Sequence, residues 1–256
     1  MHFLTTVCTD VGIKKKTNQD AVLLQEADSD YGRIVFAAVC DGMGGLAQGE
    51  VASSMLIKAL AAWFEERLPI LLGQGFTSKL LFYEWDVLAK ELNVKIANYG
   101  RNNHLMLGTT LTALLLFDER YYIVNIGDSR IYRLTDHIRC LTRDHSYVQQ
   151  EMDRGRMTAN EARKSSGRNV LLQCIGASAV VKPDYYRGEL EAEQVFLLCS
   201  DGFRHVITNE EMYEYLNSQV VVSEENMEYQ IKTLIDLNKY RKETDNISAI
   251  LIKTYC

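Results

Sequence analysis

The sequence predicts an α+β protein in which antiparallel β-sheets are covered by helices. Three observations carry this reading. Short, β-branched apolar runs of strand length dominate the 256-residue chain. Two long amphipathic stretches arrive together as one block, whereas βαβ units would alternate them with strands. Several neighbouring apolar runs are joined by turn residues too few to hold a helical crossover.

Taken in order, "HFLTTVCTD", "AVLLQEA" and "RIVFAAVC" have the length and composition of three strands. From Glu50 the period changes: Val51, Met55, Leu56, Ala59, Leu60, Trp63 and Phe64 recur at three- and four-residue steps, as on one face of a helix. Leu81, Trp85, Leu88, Leu92, Ile96 and Tyr99 repeat that pattern, and the two tryptophans read as core filler. Strands resume with "TTLTALLLF" and "RYYIVNIG", whose connection Asp118-Glu119 suits a hairpin. A second hairpin joins "SRIYRL" to "IRCL" through Thr135-Asp136-His137. Residues 144–170 are polar and helix-prone without a strong apolar stripe, and read as a surface flap. Strands "DYYRGEL" and "QVFLLCS", helical stretches at 209–217 and 224–238, and a last strand "ISAILIK" complete the order.

The composition, 47% hydrophobic and 24% charged, is that of an ordinary globular chain. With two prolines and no Gly/Ser-rich linker, residues 1–256 read as one domain, and a monomer is expected. The net charge of −6 argues against nucleic acid as the main partner, which needs a basic footprint. It suits a protein that gathers carboxylates to hold cations, although solubility alone accounts for it. The first residues lack the zones of a signal peptide, and no apolar run approaches the ~20 residues of a membrane helix. None of the six cysteines forms a CxxC pair, so they read as buried reduced thiols, and a cytoplasmic location is expected.

One pattern stands above this background. Asp41 follows "IVFAAVC", Asp128 follows "YYIVNIG", Asp201 follows "VFLLCS", and Asp245 precedes "ISAILI" after a single Asn. Asp20 closes the loop "KKKTNQD" and opens "AVLLQ". Any one of these is ordinary turn chemistry. Five at strand ends can gather at one edge of a core, where like charges stay ionised only if cations neutralise them. Short carboxylates without a Cys or His pair nearby suit Mg²⁺ or Mn²⁺ over Zn²⁺. Gly42 leaves its carbonyl free to act as a further oxygen ligand.

The stretches "GIKKKTNQD", "VCDGMGGLAQGEVAS", "GTTLTALL", "VNIGDSRIYRL", "LTRDHSYV", "CSDGF" and "TDNISAIL" follow in this order over roughly residues 6–252. Together they resemble the metal-dependent serine/threonine protein phosphatases of type 2C in their compact bacterial form. The resemblance implies a sandwich of two antiparallel β-sheets flanked by pairs of α-helices. It implies hydrolysis of phosphoserine and phosphothreonine by water activated on two Mn²⁺ or Mg²⁺ ions. Asp41 would bridge the two ions, with the Gly42 carbonyl on one of them. Asp201 and Asp245 would hold the other, and Asp20 would contribute largely through water. Asp128 resembles a ligand of a third, weaker ion shared with Asp201. Phosphorylated proteins, among them a serine/threonine kinase and its targets, are the partners this family implies.

Three positions depart from the family pattern. Gln19 stands where many relatives carry a glutamate. Lys15 stands where the family usually has the arginine that grips the substrate phosphate, giving a point charge in place of a bidentate fork. Lys14 and Lys16 beside it read as a solvated loop. Met43 stands where some relatives have a histidine that protonates the leaving group, so a bound water would take that part. His145, at the start of the flap, reads as a structural hydrogen-bonder. The competing possibility is a catalytically weak phosphatase-like binding or regulatory module: the five acids argue against it, and Lys15 argues mildly for it.

Overall fold

The computed structural model describes residues 1–30, 32–43 and 48–256. Strands β1 (His2–Asp10), β2 (Asp20–Ser29) and β3 (Gly32–Asp41) lead into helices α1 (Gly49–Ala62), α2 (Leu68–Gly73) and α3 (Ser78–Asn102). Then come β4 (Leu111–Phe117), β5 (Arg120–Ile126), β6 (Arg130–Leu134), β7 (Ile138–Cys140), α4 (Tyr147–Asp153) and α5 (Ala159–Lys164). The chain closes with β8 (Asp184–Glu189), β9 (Val195–Cys199), α6 (Asp201–Arg204), α7 (Asn209–Leu216), α8 (Glu224–Tyr240) and β10 (Ile247–Tyr255). The strands form two five-stranded sheets, ordered β1-β10-β9-β6-β7 and β2-β3-β4-β5-β8. Every pairing is antiparallel. This is the expected two-sheet sandwich with helices on its outer faces.

Strand alternation builds the layers. On β3, Ile34, Phe36, Ala38 and Cys40 turn outward to α1 and α3, where Leu56, Leu60, Leu81, Trp85 and Ile96 cover them. Val35, Ala37 and Val39 turn inward and meet Phe196, Leu198, Ile250 and Ile252 of the other sheet. On that sheet Val195, Leu197, Cys199, Ala249 and Leu251 face outward and are covered by Leu216, Met227, Ile231 and Leu234 of α7 and α8. The strands are therefore buried on both faces, which is why they read as continuous apolar runs.

The hairpin at Asp118-Glu119 has φ of 51° and 55°, the left-handed pair that matches strand twist. The first long helix does not simply end after Phe64. It passes through a π-helical turn, Trp63–Arg67, where the Leu68 N–H bonds the Trp63 carbonyl five residues back. Pro69, in the first turn of α2, has no N–H to continue the regular ladder. The single turn α6, beginning at Asp201, is also absent from the sequence-based expectation. Residues 144–170 hold α4 and α5, which bury only Val148 and Ala162, in keeping with their missing apolar stripe. All six cysteines are free; Cys8, Cys40, Cys174 and Cys199 are buried, whereas Cys140 is half-buried and Cys256 exposed, against the uniform burial expected. Among the described residues no helix is long and apolar enough to cross a membrane.

Candidate functional site

The alternation that fills the sandwich also delivers its acids. Continuing the inward series Val35, Ala37, Val39 by one step puts Asp41 on the inner face at the end of β3. Asp20 lies directly opposite it in the β2–β3 register. From the facing sheet, Ser200 continues the inward series of β9, and its Oγ donates to Asp20 Oδ2 at 2.8 Å. Asp201 follows at the head of α6. The Asp41 N–H donates to Thr110 Oγ1 at 2.8 Å, and Thr110 Oγ1 meets Ser129 Oγ at 2.9 Å. That chain ties the end of β3 to the β5–β6 turn carrying Asp128.

Asn246 organises the opposite rim. Its side-chain amide donates to the Val11 carbonyl at 2.9 Å and the Thr17 carbonyl at 3.2 Å. Its Oδ1 accepts the Gln19 N–H at 3.0 Å. The loop bearing Lys15 is thereby fastened beside Asp245, and Lys15 Nζ lies 2.8 Å from Asp245 Oδ1. All six predicted side chains, Lys15 and the five acids, thus stand around the same end of the sandwich.

Their charges are strongly interdependent. Burial, then the charge of Asp20 and of Asp201, pushes the Asp41 carboxyl well above its ordinary range. Burial likewise lifts Asp20 to about 7, against hydrogen bonds from Ser248 and Ser200 and with the charges of Asp201 and Asp245 adding to the rise. Asp128 also rises to about 7, through burial and the Asp201 charge, with Arg204 pulling the other way. Asp201 behaves differently. Burial raises it too, but His205 and Arg204 outweigh this and hold the carboxylate below its usual range.

His205 is the reason. Its Nε2 lies 3.2 Å from Asp201 Oδ2 and its Nδ1 3.3 Å from Glu243 Oε2. Burial disfavours the imidazolium, yet the two carboxylates raise its pKa to about 9, so it donates from both nitrogens. Arg204 donates to the Asp128 carbonyl at 2.8 Å and lies 3.4 Å from Asp144 Oδ2. Arg130 grips Asp144 through two bonds of 2.8 Å. Arg204, His205, Glu243 and Asp144 were not singled out from the sequence. The four-residue spacing of Asp201 and His205, one helical turn, was the available signal.

The donor set is one that a hard divalent cation fits. Asp201 Oδ1 is buried and receives no hydrogen bond among the described residues, an expensive state for a carboxylate oxygen. The Asp41 carboxyl lies within hydrogen-bonding reach of Asp201, and two carboxylates share such a contact only across a proton or a cation. As the side chains stand, no three His, Cys, Asp or Glu among the described residues surround one point as a ready-made cage. Lys15 pairs with Asp245, His205 with Asp201, and Ser200 donates to Asp20.

Gly42 has a packing reason of its own. A Cβ there would stand 2.4 Å from the Gly49 carbonyl oxygen and 2.5 Å from that of Gln19, so only glycine lets α1 start against the end of β3. The Met43 N–H donates to the Gly108 carbonyl at 3.0 Å. The remainder of "DGMGGLA", residues 44–47, lies outside the described residues. His145 is fully employed: its Nδ1 accepts from the Gly127 N–H at 3.2 Å and Gln173 Nε2 at 2.8 Å. Its Nε2 then carries the proton and donates to Asp184 Oδ2 at 3.0 Å. That is the structural role its sequence position suggested.

Comparison with known proteins agrees with this architecture. The family model described as Protein phosphatase 2C matches residues 13–236. A Streptococcus pyogenes protein described as a putative protein phosphatase 2C-type is 32% identical over 249 residues, 95% of this chain and 94% of its own length. The serine/threonine phosphatase Stp1 from Staphylococcus aureus superposes with a TM-score of 0.85 at 26% identity, over 100% of this chain and 96% of that one. The catalytic domain of the serine threonine protein phosphatase PstP, solved with two manganese ions, superposes with a TM-score of 0.80 at 29% identity, over 99% of each chain. A two-sheet sandwich with carboxylates gathered at one end defines the class, a metal-dependent phosphatase fold. The chain belongs to the protein phosphatase 2C family.

Proposed function

We propose that this chain removes phosphate from phosphoserine and phosphothreonine of proteins, using Mn²⁺ or Mg²⁺ held by Asp20, Asp41, the Gly42 carbonyl, Asp128, Asp201 and Asp245. The single observation that carries the reading is the buried Asp201 Oδ1, without a hydrogen bond among the described residues, beside an Asp41 carboxyl raised by burial and its like-charged neighbours. When bound, the ions supply a water of lowered pKa for attack on phosphorus and offset charge on the phosphoryl oxygens.

The chain's own residues do the rest. Asp41 and Asp201 are the catalytic carboxylates that meet the cations. Lys15, on its tethered loop, binds the substrate phosphate with its ammonium. His205 and Arg204 are positioning residues: they hold the carboxylate of Asp201 and the backbone of Asp128 at fixed orientation. The whole of residues 1–256 acts as one catalytic unit, a cytoplasmic monomer in signal transduction. Residues 144–170 serve as a flap beside the site, and a serine/threonine kinase with its targets supplies the phosphorylated substrates.

Hydrolysis of a phosphothreonine peptide in Mn²⁺, compared between wild type and Asp41→Ala, tests this. Turnover that vanishes with EDTA and in the variant is expected. Full activity in Asp41→Ala sinks the assignment. Absence of any Mn²⁺-dependent turnover by the wild type, with peptide binding retained, favours a binding module instead.

A further inference from the structure

Behind Asp128 and Arg204 the molecule holds a cavity of about 300 Å³ that the hydrolytic reading does not use. Its base is formed by Arg130, Arg204 and Asp144, and its mouth by Arg163 and Arg168. Val148, Met152, Ala162 and Ile207 add apolar patches to a lining that is otherwise polar. Four guanidiniums thus face two carboxylates, Asp128 and Asp144.

The balance inside is more cationic than that count. Asp144 is gripped by Arg130 through two hydrogen bonds and approached by Arg204 at 3.4 Å, so one carboxylate already answers two arginines. The Arg204 Nε–H is buried and has no acceptor among the described residues. At the mouth, the charge of Arg163 acts on the exposed Glu210. The exposed Arg168 guanidinium has no ion-pair or hydrogen-bond partner among the described residues. Arginine forks match carboxylate and phosphate geometry.

We propose that this cavity takes an acidic side chain of the phosphoprotein substrate, a residue flanking the one that is dephosphorylated, and so selects phosphopeptides with a second negative charge. At about 300 Å³ the cavity stands at the small end of ligand pockets and has room for an acidic side chain. It shares Asp128, Arg204 and His205 with the candidate centre, so an extended peptide whose phosphate lies at that centre brings a neighbouring residue to it. The inference rests on the phosphatase reading above.

The test uses the full chain in Mn²⁺ with three kinds of substrate. These are p-nitrophenyl phosphate, a phosphothreonine peptide with neutral flanks, and copies of that peptide with one glutamate at each position within three residues of the phosphothreonine. At least one acidic peptide should show a KM lower by roughly ten-fold, the worth of one charge-assisted pair. The double variant Arg163→Ala/Arg168→Ala should erase that difference while kcat and p-nitrophenyl phosphate turnover stay at wild-type values. Arg163→Glu/Arg168→Glu should reverse it. Equal KM values across the peptides in the wild type overturn the proposal, as does a preference that survives the double variant. Loss of p-nitrophenyl phosphate and neutral-peptide turnover in the wild type overturns the phosphatase reading itself, so the two failures are told apart.

Discussion

Asp20 and Asp41 face each other on the terminal rung of the β2–β3 ladder. Opposed like charges weaken a strand pair, so the protein folds around a local repulsion that only a proton or a cation relieves.

The first expectation concerns pH. The folded-state carboxyls of Asp20 and Asp128 lie at about 7, against roughly 4 in an unfolded chain. Below pH 4 both states are protonated and nothing is lost. Between about 4 and 7 the native state binds more protons than the unfolded one, so stability falls as pH rises, and the loss is complete above 7. Thermal melts in EDTA should show a Tm that declines across this window, and Mn²⁺ should flatten the decline. A metal-free Tm that is level or rising from pH 4 to 7 contradicts the electrostatic picture.

Asp41→Asn separates stability from activity. The substitution removes an ionisable group that the cluster forces to bind a proton, while keeping the shape of the side chain. Turnover should fall on the order of a thousand-fold or more, whereas the Tm of the metal-free protein should rise. Asp201→Ala should lose turnover to a similar degree. It leaves His205 with Glu243 alone, so its metal-free Tm should not rise. Kinetics and differential scanning calorimetry on the same preparations decide both points.

On the proposed reading, in which the ammonium binds the substrate phosphate and holds no reacting proton, Lys15→Ala should raise KM for a phosphopeptide several-fold with a smaller effect on kcat. It also frees Asp245 from its 2.8 Å ion pair. Titration calorimetry should therefore show Mn²⁺ binding more tightly to the variant than to wild type. An unchanged KM returns Lys15 to an ordinary loop lysine.

Gly202→Ala tests how α6 is set against β10. A Cβ there would stand 2.1 Å from the Asn246 carbonyl oxygen, a backbone atom that cannot turn aside. Overpacking of this kind costs about 1–3 kcal/mol, and the strain falls on Asp201 and Asn246 together. Both a lower midpoint in urea and weaker Mn²⁺ binding are expected. A variant with wild-type values for both shows that the helix turn moves freely.

Much of this was legible from residue order. The strands announced themselves because both faces of each sheet are covered, and the Asp118-Glu119 turn because two-residue hairpins demand residues that tolerate positive φ. The five acids were visible as a pattern of strand ends. What gathered them, the inward phase shared by Val39, Asp41 and Ser200, depends on which sheet each strand joins and was hidden until the strand order was known. His205, Arg204 and Glu243 escaped because their importance lies in partners from distant segments: Glu243 is 38 residues from the histidine it shares with Asp201. The π-helical turn escaped because Pro69 lies four residues after Glu65, inside an unbroken apolar period.

The pleat has one more consequence. Cys40 and Cys199 each sit one residue before the inward-facing Asp41 and Ser200, and both thiols are fully buried on the helix-covered side. Soft sulfur and hard oxygen are thus kept on opposite sides of the same strand by a half-period of backbone. A thiophilic ion such as Cu⁺ that enters the cleft meets carboxylates and hydroxyls there, with the two strand-end thiols behind the sheet. Strand phase alone keeps these two thiols off the face that carries the carboxylates.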